Sequence, residues 1–218
     1  MPVKAIIFDL DGTIIDNEWV YDRSFCEVLK ELQISCEELN HVPGIGVKEN
    51  WEKMVPKLGI NKSPEELAER TEEAYLRRLS EIKVREGVRN FLRYLRGRGI
   101  KTLLATSTTK ELATKVLEAT DLAPLFDFQV FGDEVTQKKP APDLFLKALD
   151  SAKLLPREVI VVEDSPAGLA AAKNAGIKVI GLKTDWFTRS QLYQADLILE
   201  NFSQIEEKFK RNRFTGNS

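Results

Sequence analysis

The fold is decided at residues 3–13, which read VKAIIFDLDGT. The first part is an apolar run without polar alternation, which is typical of a buried strand in a parallel sheet covered on both faces. Asp9 and Asp11 follow, and Gly12 then turns the chain. Residues two apart on a strand point to the same side, so the pair predicts two carboxylates that repel each other and favour a cation. Taken alone, the pair also fits an ordinary solvated Asp-Gly turn.

Four further apolar runs resemble residues 3–8, and segments with helical periodicity lie between them. The runs are Thr102–Ala105, Phe128–Phe131, Val159–Val162 and Val179–Leu182. Strands that alternate with helices predict βαβ units with right-handed crossovers. We therefore predict an α/β fold in which residues 1–15 and 84–218 form a Rossmann-like, three-layer core around a parallel sheet.

The alternation is interrupted between residues 16 and 83, where helical patterns occur without a convincing strand. The segment Ser63–Glu66 is a capping box with proline at the first helical position. The interruption is far longer than an ordinary connection of about 2–6 residues. We predict that residues 16–83 form an inserted helical cap. A last helix is predicted to begin at Ser203, and the polar tail 211–218 is predicted to fray.

Polar clusters also accompany the other predicted strands. Thr106 and Ser107 open a helix, where hydroxyls and free amide groups suit an anion. Lys139 precedes another helix and could neutralise a transferring phosphoryl group. Glu163 and Asp164 end the fourth strand and add a second acidic pair. Helix capping or a surface position explains each cluster singly, but not their joint occurrence at the edge where open α/β sheets bind ligands.

These motifs resemble those of the haloacid dehalogenase-like hydrolase superfamily. The chain is most similar to its helical-cap branch, which includes β-phosphoglucomutase and small sugar-phosphate phosphatases. DLDGT at residues 9–13 matches the first motif, Thr106 the second, Lys139 the third and the segment 163–165 the fourth. The resemblance covers nearly the whole chain. It implies the sheet order 3-2-1-4-5, with the first strand between the second and the fourth.

The resemblance implies a role for each matched residue. Asp9 would attack phosphorus and form an aspartyl-phosphate. Asp11 would protonate the leaving oxygen and then help to deprotonate water. Thr106, with the amide of Ser107, would hold phosphate oxygens. Lys139 would offset the charge of Asp9 and of the phosphoryl group.

Mg²⁺ is the cofactor that the resemblance implies. Asp9, the backbone carbonyl of Asp11 and Asp164 would bind it, and Glu163 is a further candidate ligand. Mg²⁺ suits such a site because it takes oxygen ligands and binds one or two carboxylates together with a substrate phosphate. The metal would position the phosphate and stabilise developing charge.

The sequence therefore predicts a Mg²⁺-dependent phosphatase of small phosphomonoesters, in particular sugar phosphates. Asp11 argues against the family's dehalogenases, which lack the second aspartate. A β-phosphoglucomutase-like phosphomutase stays open as an alternative, although Tyr21 stands where that enzyme carries a histidine. A non-catalytic phosphate-binding module is a further alternative, against which the intact Asp9, Lys139 and Asp164 argue.

The insertion is expected to determine the substrate specificity, because it would close over the core. Lys48 could meet a second charged group, and Glu18 could contact sugar hydroxyls. Both residues also have ordinary explanations, as a solvated helix-end lysine and as a first-turn carboxylate favoured by the helix dipole. His41, the only histidine, is interpreted as a solvated loop residue.

The composition argues against several other classes of protein. The chain is 43% hydrophobic and 30% charged, which is typical of soluble globular proteins. A net charge of -2 gives no case for nucleic acid or an anionic membrane, and no apolar run has the length of a membrane span. Cys26 and Cys36 are interpreted as ordinary thiols, which, with no signal-peptide pattern, favours the cytoplasm. The expected partner is a small phosphorylated metabolite, and a monomer is expected.

Overall fold

The computed structural model of the protein describes residues 3–211, and within them the chain forms eight strands and eight α-helices. The strands are β1 (Ala5–Phe8), β2 (Ile15–Asp16), β3 (Lys83–Val84), β4 (Lys101–Ala105), β5 (Phe128–Val130), β6 (Val159–Glu163), β7 (Lys178–Leu182) and β8 (Leu197–Leu199). The helices are α1 (Glu18–Glu31), α2 (Val47–Leu58), α3 (Pro64–Leu76), α4 (Val88–Gly97), α5 (Lys110–Ala119), α6 (Asp143–Ala152), α7 (Pro166–Asn174) and α8 (Phe202–Lys210).

Six of the strands form one parallel sheet in the order β5-β4-β1-β6-β7-β8. Numbered along the chain within this sheet, the first five strands have the order 3-2-1-4-5, so the predicted topology is confirmed. Strand β8 adds a sixth strand that the sequence analysis did not predict. Phe8, the last residue of β1, pairs with Leu104 on β4 and with Val162 on β6. The loop after β1 therefore lies between the loops that follow β4 and β6.

Helices cover both faces of the sheet because β1 is apolar on both sides. Ile6 and Phe8 belong to a core cluster shared with α4, α5 and α8, whereas Ala5 and Ile7 belong to a second cluster shared with α6 and α7. All four side chains are fully buried. The predicted three-layer α/β architecture is confirmed. Because helices pack on both faces of β1, the end of this strand is held firmly in place.

Residues 16–83, the helical insertion, contain α1, α2 and α3, which pack against one another. Trp51 is fully buried between these helices, and its Nε1 donates a hydrogen bond of 2.9 Å to Thr71 Oγ1. The side chain of Ser63 accepts a 3.1 Å hydrogen bond from the amide of Glu66, as the capping box predicts. The insertion thus has a small core of its own.

The chain enters and leaves the insertion through the antiparallel ribbon of β2 and β3. Arg85 follows this ribbon directly and donates from Nε to the carbonyl oxygen of Gly12 at 2.7 Å. Its guanidinium also lies 3.2 Å from Asp16. The ribbon is therefore tied to the turn after β1. The division into core and cap at residues 16 and 83 falls on this ribbon and stays a prediction.

Two predictions about side chains of the insertion are wrong. Cys26 and Cys36 are not ordinary thiols, because they form a disulfide that joins α1 to the short helical turn beyond it. A low cysteine count argues against a disulfide-rich scaffold but not against a single bridge. His41 is not solvated, because its side chain is only 4% exposed and its Nδ1 lies 2.9 Å from Asp22 Oδ1.

The chain's last described helix, α8, begins at Phe202, one residue before the predicted start. The side chain of Asn201 accepts a 2.9 Å hydrogen bond from the amide of Gln204 and caps it. The predicted fraying of residues 211–218 lies outside the described residues, apart from Arg211. Within residues 3–211, no helix combines the length and the apolar character that a membrane span needs.

Candidate active site

The turn after β1 depends on Gly12. Its φ of +73° lies in the left-handed region, which favours glycine. A Cβ at this position would lie 2.5 Å from Asp164 Oδ2. The amide of Gly12 donates a 3.1 Å hydrogen bond to Asn17 Oδ1. The glycine thus allows the first acidic pair to approach the carboxylate that follows β6.

Asp9, Glu163 and Asp164 form a buried acidic cluster at this edge of the sheet, with one carboxylate oxygen from each within 4.8 Å of the others. The Lys139 ammonium contacts Asp9 Oδ1 and donates to Glu163 Oε1 at 2.7 Å. It also donates to the Ala105 carbonyl at 3.2 Å. The buried ammonium therefore contacts two of the three carboxylates.

The pKa values of the cluster show the charge imbalance. Burial raises the pKa of Asp9 well above its usual 3.8, and Glu163 and Asp164 raise it further, although Lys139 opposes them. Burial, followed by repulsion from Glu163, raises the pKa of Asp164 to about 7. Burial alone would lower the pKa of Lys139, but attraction to Asp9 and Glu163 outweighs it and raises that pKa. The oxygen donors and the unbalanced negative charge fit a divalent cation such as Mg²⁺.

Glu163 differs from Asp164 in how its carboxylate is held. Its Oε1 accepts from Lys139, and its Oε2 accepts from the amide and hydroxyl of Ser165 at 2.8 and 3.0 Å. Asp164 Oδ1 accepts a 2.8 Å hydrogen bond from Thr13 Oγ1. Glu163 lies close enough to bind a cation, but both of its carboxylate oxygens already accept hydrogen bonds. These contacts are more typical of a residue that positions Lys139 than of a metal ligand. Asp164 is the better candidate ligand.

The Asp11 side chain points away from the acidic cluster and is held by three other side chains. Its Oδ2 accepts from Thr108 Oγ1 at 2.6 Å and from Thr106 Oγ1 at 3.2 Å. Its Oδ1 accepts from Asn17 Nδ2 at 2.6 Å, and the same Nδ2 lies 2.6 Å from the Tyr75 hydroxyl on α3. A chain of hydrogen bonds therefore runs from Asp11 to the helical insertion.

Thr106 and Ser107 follow β4 and face Asp9 across the sheet edge. Thr106 is fully buried, and its Oγ1 accepts a 3.1 Å hydrogen bond from the amide of Thr108. Ser107 Oγ is buried and has no hydrogen-bond partner. Because an unsatisfied buried hydroxyl is costly, a phosphate oxygen at this position would supply the missing partner.

A pocket opens above Asp9 and Asp11, between the sheet edge and the insertion. Of the predicted substrate residues, Glu18, Thr106 and Ser107 line it with the two aspartates. Lys139 lies buried beneath Asp9. Lys48 does not line this pocket. Instead, its ammonium lies 2.8 Å from Glu65, and it borders the adjoining cavity.

Glu18 and His41 form a polar pair on the insertion side of the pocket. Glu18 Oε2 lies 3.5 Å from His41 Nε2, without hydrogen-bond geometry, and both side chains are less than 5% exposed. Burial raises the pKa of Glu18 well above its usual 4.5, and repulsion from Asp164 and Asp11 raises it further. The sequence gives no signal for the position of His41, because the loop that carries it has no periodic pattern.

The loop before α2 lies directly against the core. Gly44 has a φ of +85°, and a Cβ there would overlap the side chain of Ser165. Asn50 clamps the loop, since its Oδ1 accepts from the amide of Val42 at 2.8 Å and its Nδ2 donates to the carbonyls of Val42 and Gly46 at 3.2 and 3.1 Å. The loop thus closes the pocket from above.

The acidic cluster, the buried lysine and the unpartnered hydroxyl of Ser107 lie together at one edge of the sheet, as in an enzyme that acts on phosphate esters. The chain belongs to the haloacid dehalogenase-like hydrolase family, whose family model matches residues 6–182. It is 36% identical over 181 residues to a phosphorylated carbohydrates phosphatase of Thermotoga maritima, covering 82% of this chain and 84% of that protein. It is 31% identical over 180 residues to a phosphoglycolate phosphatase of Aquifex aeolicus, covering 81% and 83%.

A solved structure supports the same assignment. The crystal structure of a CbbY protein from Rhodobacter sphaeroides in complex with phosphate has a TM-score of 0.81 and 25% identity, and the match covers 93% of this chain and 96% of that one. The predicted family is therefore confirmed. Together with the phosphatases among its relatives, this makes the chain a phosphoric monoester hydrolase.

Proposed function

We propose that the protein is a Mg²⁺-dependent phosphatase that hydrolyses small phosphorylated carbohydrates through an aspartyl-phosphate at Asp9. The observation that carries this proposal is the position of Asp9 on the floor of the pocket, where the Lys139 ammonium contacts it and the carboxylates of Glu163 and Asp164 lie close by. A carboxylate in this position has a lysine to orient it and neighbours that fit a divalent cation.

The geometry suggests how Asp9 acts. Lys139 holds Oδ1, which leaves Oδ2 to attack phosphorus in line with the leaving oxygen. Thr106 and Ser107 receive the phosphate oxygens, the latter through its amide and its unpartnered hydroxyl. Lys139 offsets negative charge as it builds up on the phosphoryl group.

Asp11 supplies general acid and base catalysis. Its carboxyl group, in the protonated form, gives its proton to the leaving oxygen, and the resulting carboxylate takes a proton in the second step from the water that attacks the phosphorylated Asp9. The hydrogen bonds from Thr108 and Asn17 orient it. A Mg²⁺ ion held by Asp9, the carbonyl of Asp11 and Asp164 would stabilise charge on the phosphate oxygens.

The helical insertion, residues 16–83, acts in this proposal as a cap that excludes water during transfer. Gly44 and the clamp of Asn50 support this function, because Gly44 lets the loop approach Ser165 and Asn50 fixes the shape of the loop. The phosphorylated carbohydrates phosphatase among the relatives supports the substrate class. A monomer and a cytoplasmic location remain predictions from the sequence, and the Cys26–Cys36 disulfide removes one argument for that location.

The test is a screen of sugar, polyol and aromatic phosphate monoesters with Mg²⁺ and with EDTA. We expect phosphate release that EDTA abolishes and that Asp9→Asn reduces at least about 10³-fold, since the nucleophile is lost. Asp150→Asn changes an exposed aspartate and serves as the matched control with wild-type activity. Activity that survives in Asp9→Asn would contradict the mechanism, and activity indifferent to EDTA would contradict the metal.

A phosphomutase remains the second candidate because His41 lines the pocket, although from a different position than Tyr21. A mutase would convert β-glucose 1-phosphate to glucose 6-phosphate without net phosphate release. Phosphate release without isomerisation would exclude it. A failure to cleave any phosphomonoester would favour the non-catalytic binding module.

A further inference from the structure

The part of the pocket that lies beyond the reacting phosphate contains a carboxylate and no strong cation. Among the described residues that line the pocket, none is lysine or arginine. The insertion contributes three ionisable side chains, Glu18, Tyr21 and His41. Burial raises the pKa of Tyr21 well above its usual 10.0, so its phenol stays neutral. The pocket wall opposite the sheet edge therefore carries no excess positive charge.

Glu18 has an unused hydrogen-bonding capacity that points to a ligand. Its side chain is 3% exposed, yet Oε2 has no hydrogen-bond partner. A buried carboxylate oxygen without a donor is strongly unfavourable. A hydroxyl of the substrate can donate to this oxygen or accept from it, whereas a second anionic group would find no lysine or arginine among the described lining residues to pair with.

His41 adds a second polar atom at a fixed position. Its Nδ1 lies 2.9 Å from Asp22 Oδ1, so Nε2 is the nitrogen that remains beside Glu18. The ring centroid lies 5.0 Å from that of Phe25 and 6.4 Å from that of Trp186, which belongs to the core. His41 also lies between the carboxylates of Glu18 and Asp22, so it gives the pocket wall no surplus of positive charge.

The two lysines that border the adjoining cavity are already paired with carboxylates. Lys48 Nζ lies 2.8 Å from Glu65, and Lys138 Nζ lies 2.9 Å from Glu49. Both border the adjoining cavity instead of the pocket above Asp9. A carboxylate or second phosphate on the substrate would therefore have to break an existing ion pair to find a partner.

We propose that Glu18 and His41 are specificity residues that admit phosphate esters whose remaining part is uncharged and bears hydroxyls. Esters that carry a carboxylate or a second phosphate are rejected. This inference rests on the proposed function and narrows its substrate class. Phosphoglycolate carries a carboxylate, so the proposal predicts that this chain rejects the substrate of a phosphoglycolate phosphatase.

Glycerol 3-phosphate and 3-phosphoglycerate test the proposal, because they differ chiefly in a hydroxymethyl group or a carboxylate at the far end. We expect kcat/KM for glycerol 3-phosphate to be at least about tenfold higher, since the carboxylate of 3-phosphoglycerate loses water without gaining a cationic partner. Glu18→Gln keeps the size of the side chain and replaces the acidic group with an amide that donates hydrogen bonds, and it should reduce the preference mainly by improving 3-phosphoglycerate. Glu52→Gln removes a half-exposed carboxylate outside the pocket and should leave the preference unchanged.

Equal or better use of 3-phosphoglycerate by the wild type would overturn the proposal, as would an unchanged preference in Glu18→Gln. If neither ester is turned over, their inhibition constants against p-nitrophenyl phosphate hydrolysis report the same preference. Absence of hydrolysis of every phosphomonoester would instead contradict the proposed function, so the two failures are distinguishable.

His41 has a separate test. His41→Phe should raise KM for glycerol 3-phosphate about tenfold, because one polar contact is lost. It should leave the KM of p-nitrophenyl phosphate, which has no hydroxyls, nearly unchanged. His41→Gln restores a polar group and should recover most of the loss. Equal effects of both variants on both substrates would show that His41 only packs, which contradicts its part in recognition.

Discussion

At the scale of single residues, Asp11 is oriented by side chains from both the core and the insertion. Asn17 is the link, since its Nδ2 donates to Asp11 Oδ1 and also contacts the Tyr75 hydroxyl on α3. A general acid must be held close to its productive geometry to act. The position of Asp11 therefore depends on a residue outside the acidic motif.

Asn17→Ala should lower kcat about 10- to 100-fold with little change in KM, because the general acid loses its orientation while phosphate binding stays intact. Tyr75→Phe removes the contact on the far side of Asn17 and should have a smaller effect. Steady-state kinetics on one phosphomonoester measures both, and thermal unfolding checks that the variants fold. A kcat unchanged by Asn17→Ala would show that Asp11 needs no such support.

The sequence predicts the residues of the acidic cluster because each directly follows a buried strand or precedes a helix. Asn17 and His41 were missed for a physical reason. An asparagine just before a helix is expected to cap it, but Asn17 makes no side-chain cap and instead binds Asp11. His41 lies in a loop, and its burial depends on contacts with α1 and with Trp186 of the core.

At the scale of elements, the loop between the short helical turn Cys36–Glu38 and α2 decides whether the pocket can close. This loop includes Gly44, and both the positive φ and the contact with Ser165 exclude a larger residue there. Gly59, at the end of α2, has a positive φ of +62° as well, but a Cβ there would meet no atom within 4 Å. Substitutions at the two glycines therefore distinguish the effect of backbone strain, which both share, from the effect of steric overlap, which occurs only at Gly44.

Gly44→Ala should lower kcat/KM at least about tenfold, because the loop can no longer approach Ser165 and water enters the site. Gly59→Ala shares the backbone strain and should cost about 1 kcal/mol of stability without loss of activity. Thermal unfolding and kinetics on both variants check this. If both lose activity equally, strain in the insertion and not closure of the loop is responsible.

The sequence predicts the first five sheet strands because each is a continuous apolar run, whereas their order in the sheet was implied by the resemblance to the haloacid dehalogenase-like superfamily. The sixth strand, Leu197–Leu199, is flanked directly by Asp196 and Glu200, so its apolar run is shorter than every run that predicted a strand. Its pairing with β7 depends on the sheet that is already formed. The ribbon of β2 and β3 has two residues in each strand and was missed for the same reason.

At the scale of the whole molecule, Glu72 lies at the boundary between the insertion and the core, where burial destabilises its charged form. Burial raises the pKa of Glu72 from 4.5 to about 6, although attraction to Lys138 opposes the shift. A raised pKa means that the folded state holds this proton more tightly than the unfolded chain. The stability linked to it is therefore present below pH 4.5 and is lost as the pH rises through about 6.

Glu72→Gln should stabilise the protein above pH 6, by at most about 2 kcal/mol, because the buried charge is removed. At pH 4 the variant and the wild type should have nearly the same free energy of unfolding. Glu73→Gln, at the exposed neighbouring position, is the matched control and should show no such pH dependence. Denaturant unfolding across pH 4 to 8 provides the measurement, and a gain that is equal at all pH values would contradict the account.

The family and the site together make covalent transfer through Asp9 the central claim about the molecule. Two in-line displacements, first by Asp9 and then by water, each invert the configuration at phosphorus, so the phosphate is released with overall retention. Hydrolysis of a phosphate ester made chiral with oxygen isotopes measures this directly. Retention is the predicted result, and inversion would show a single attack by water and contradict the role of Asp9.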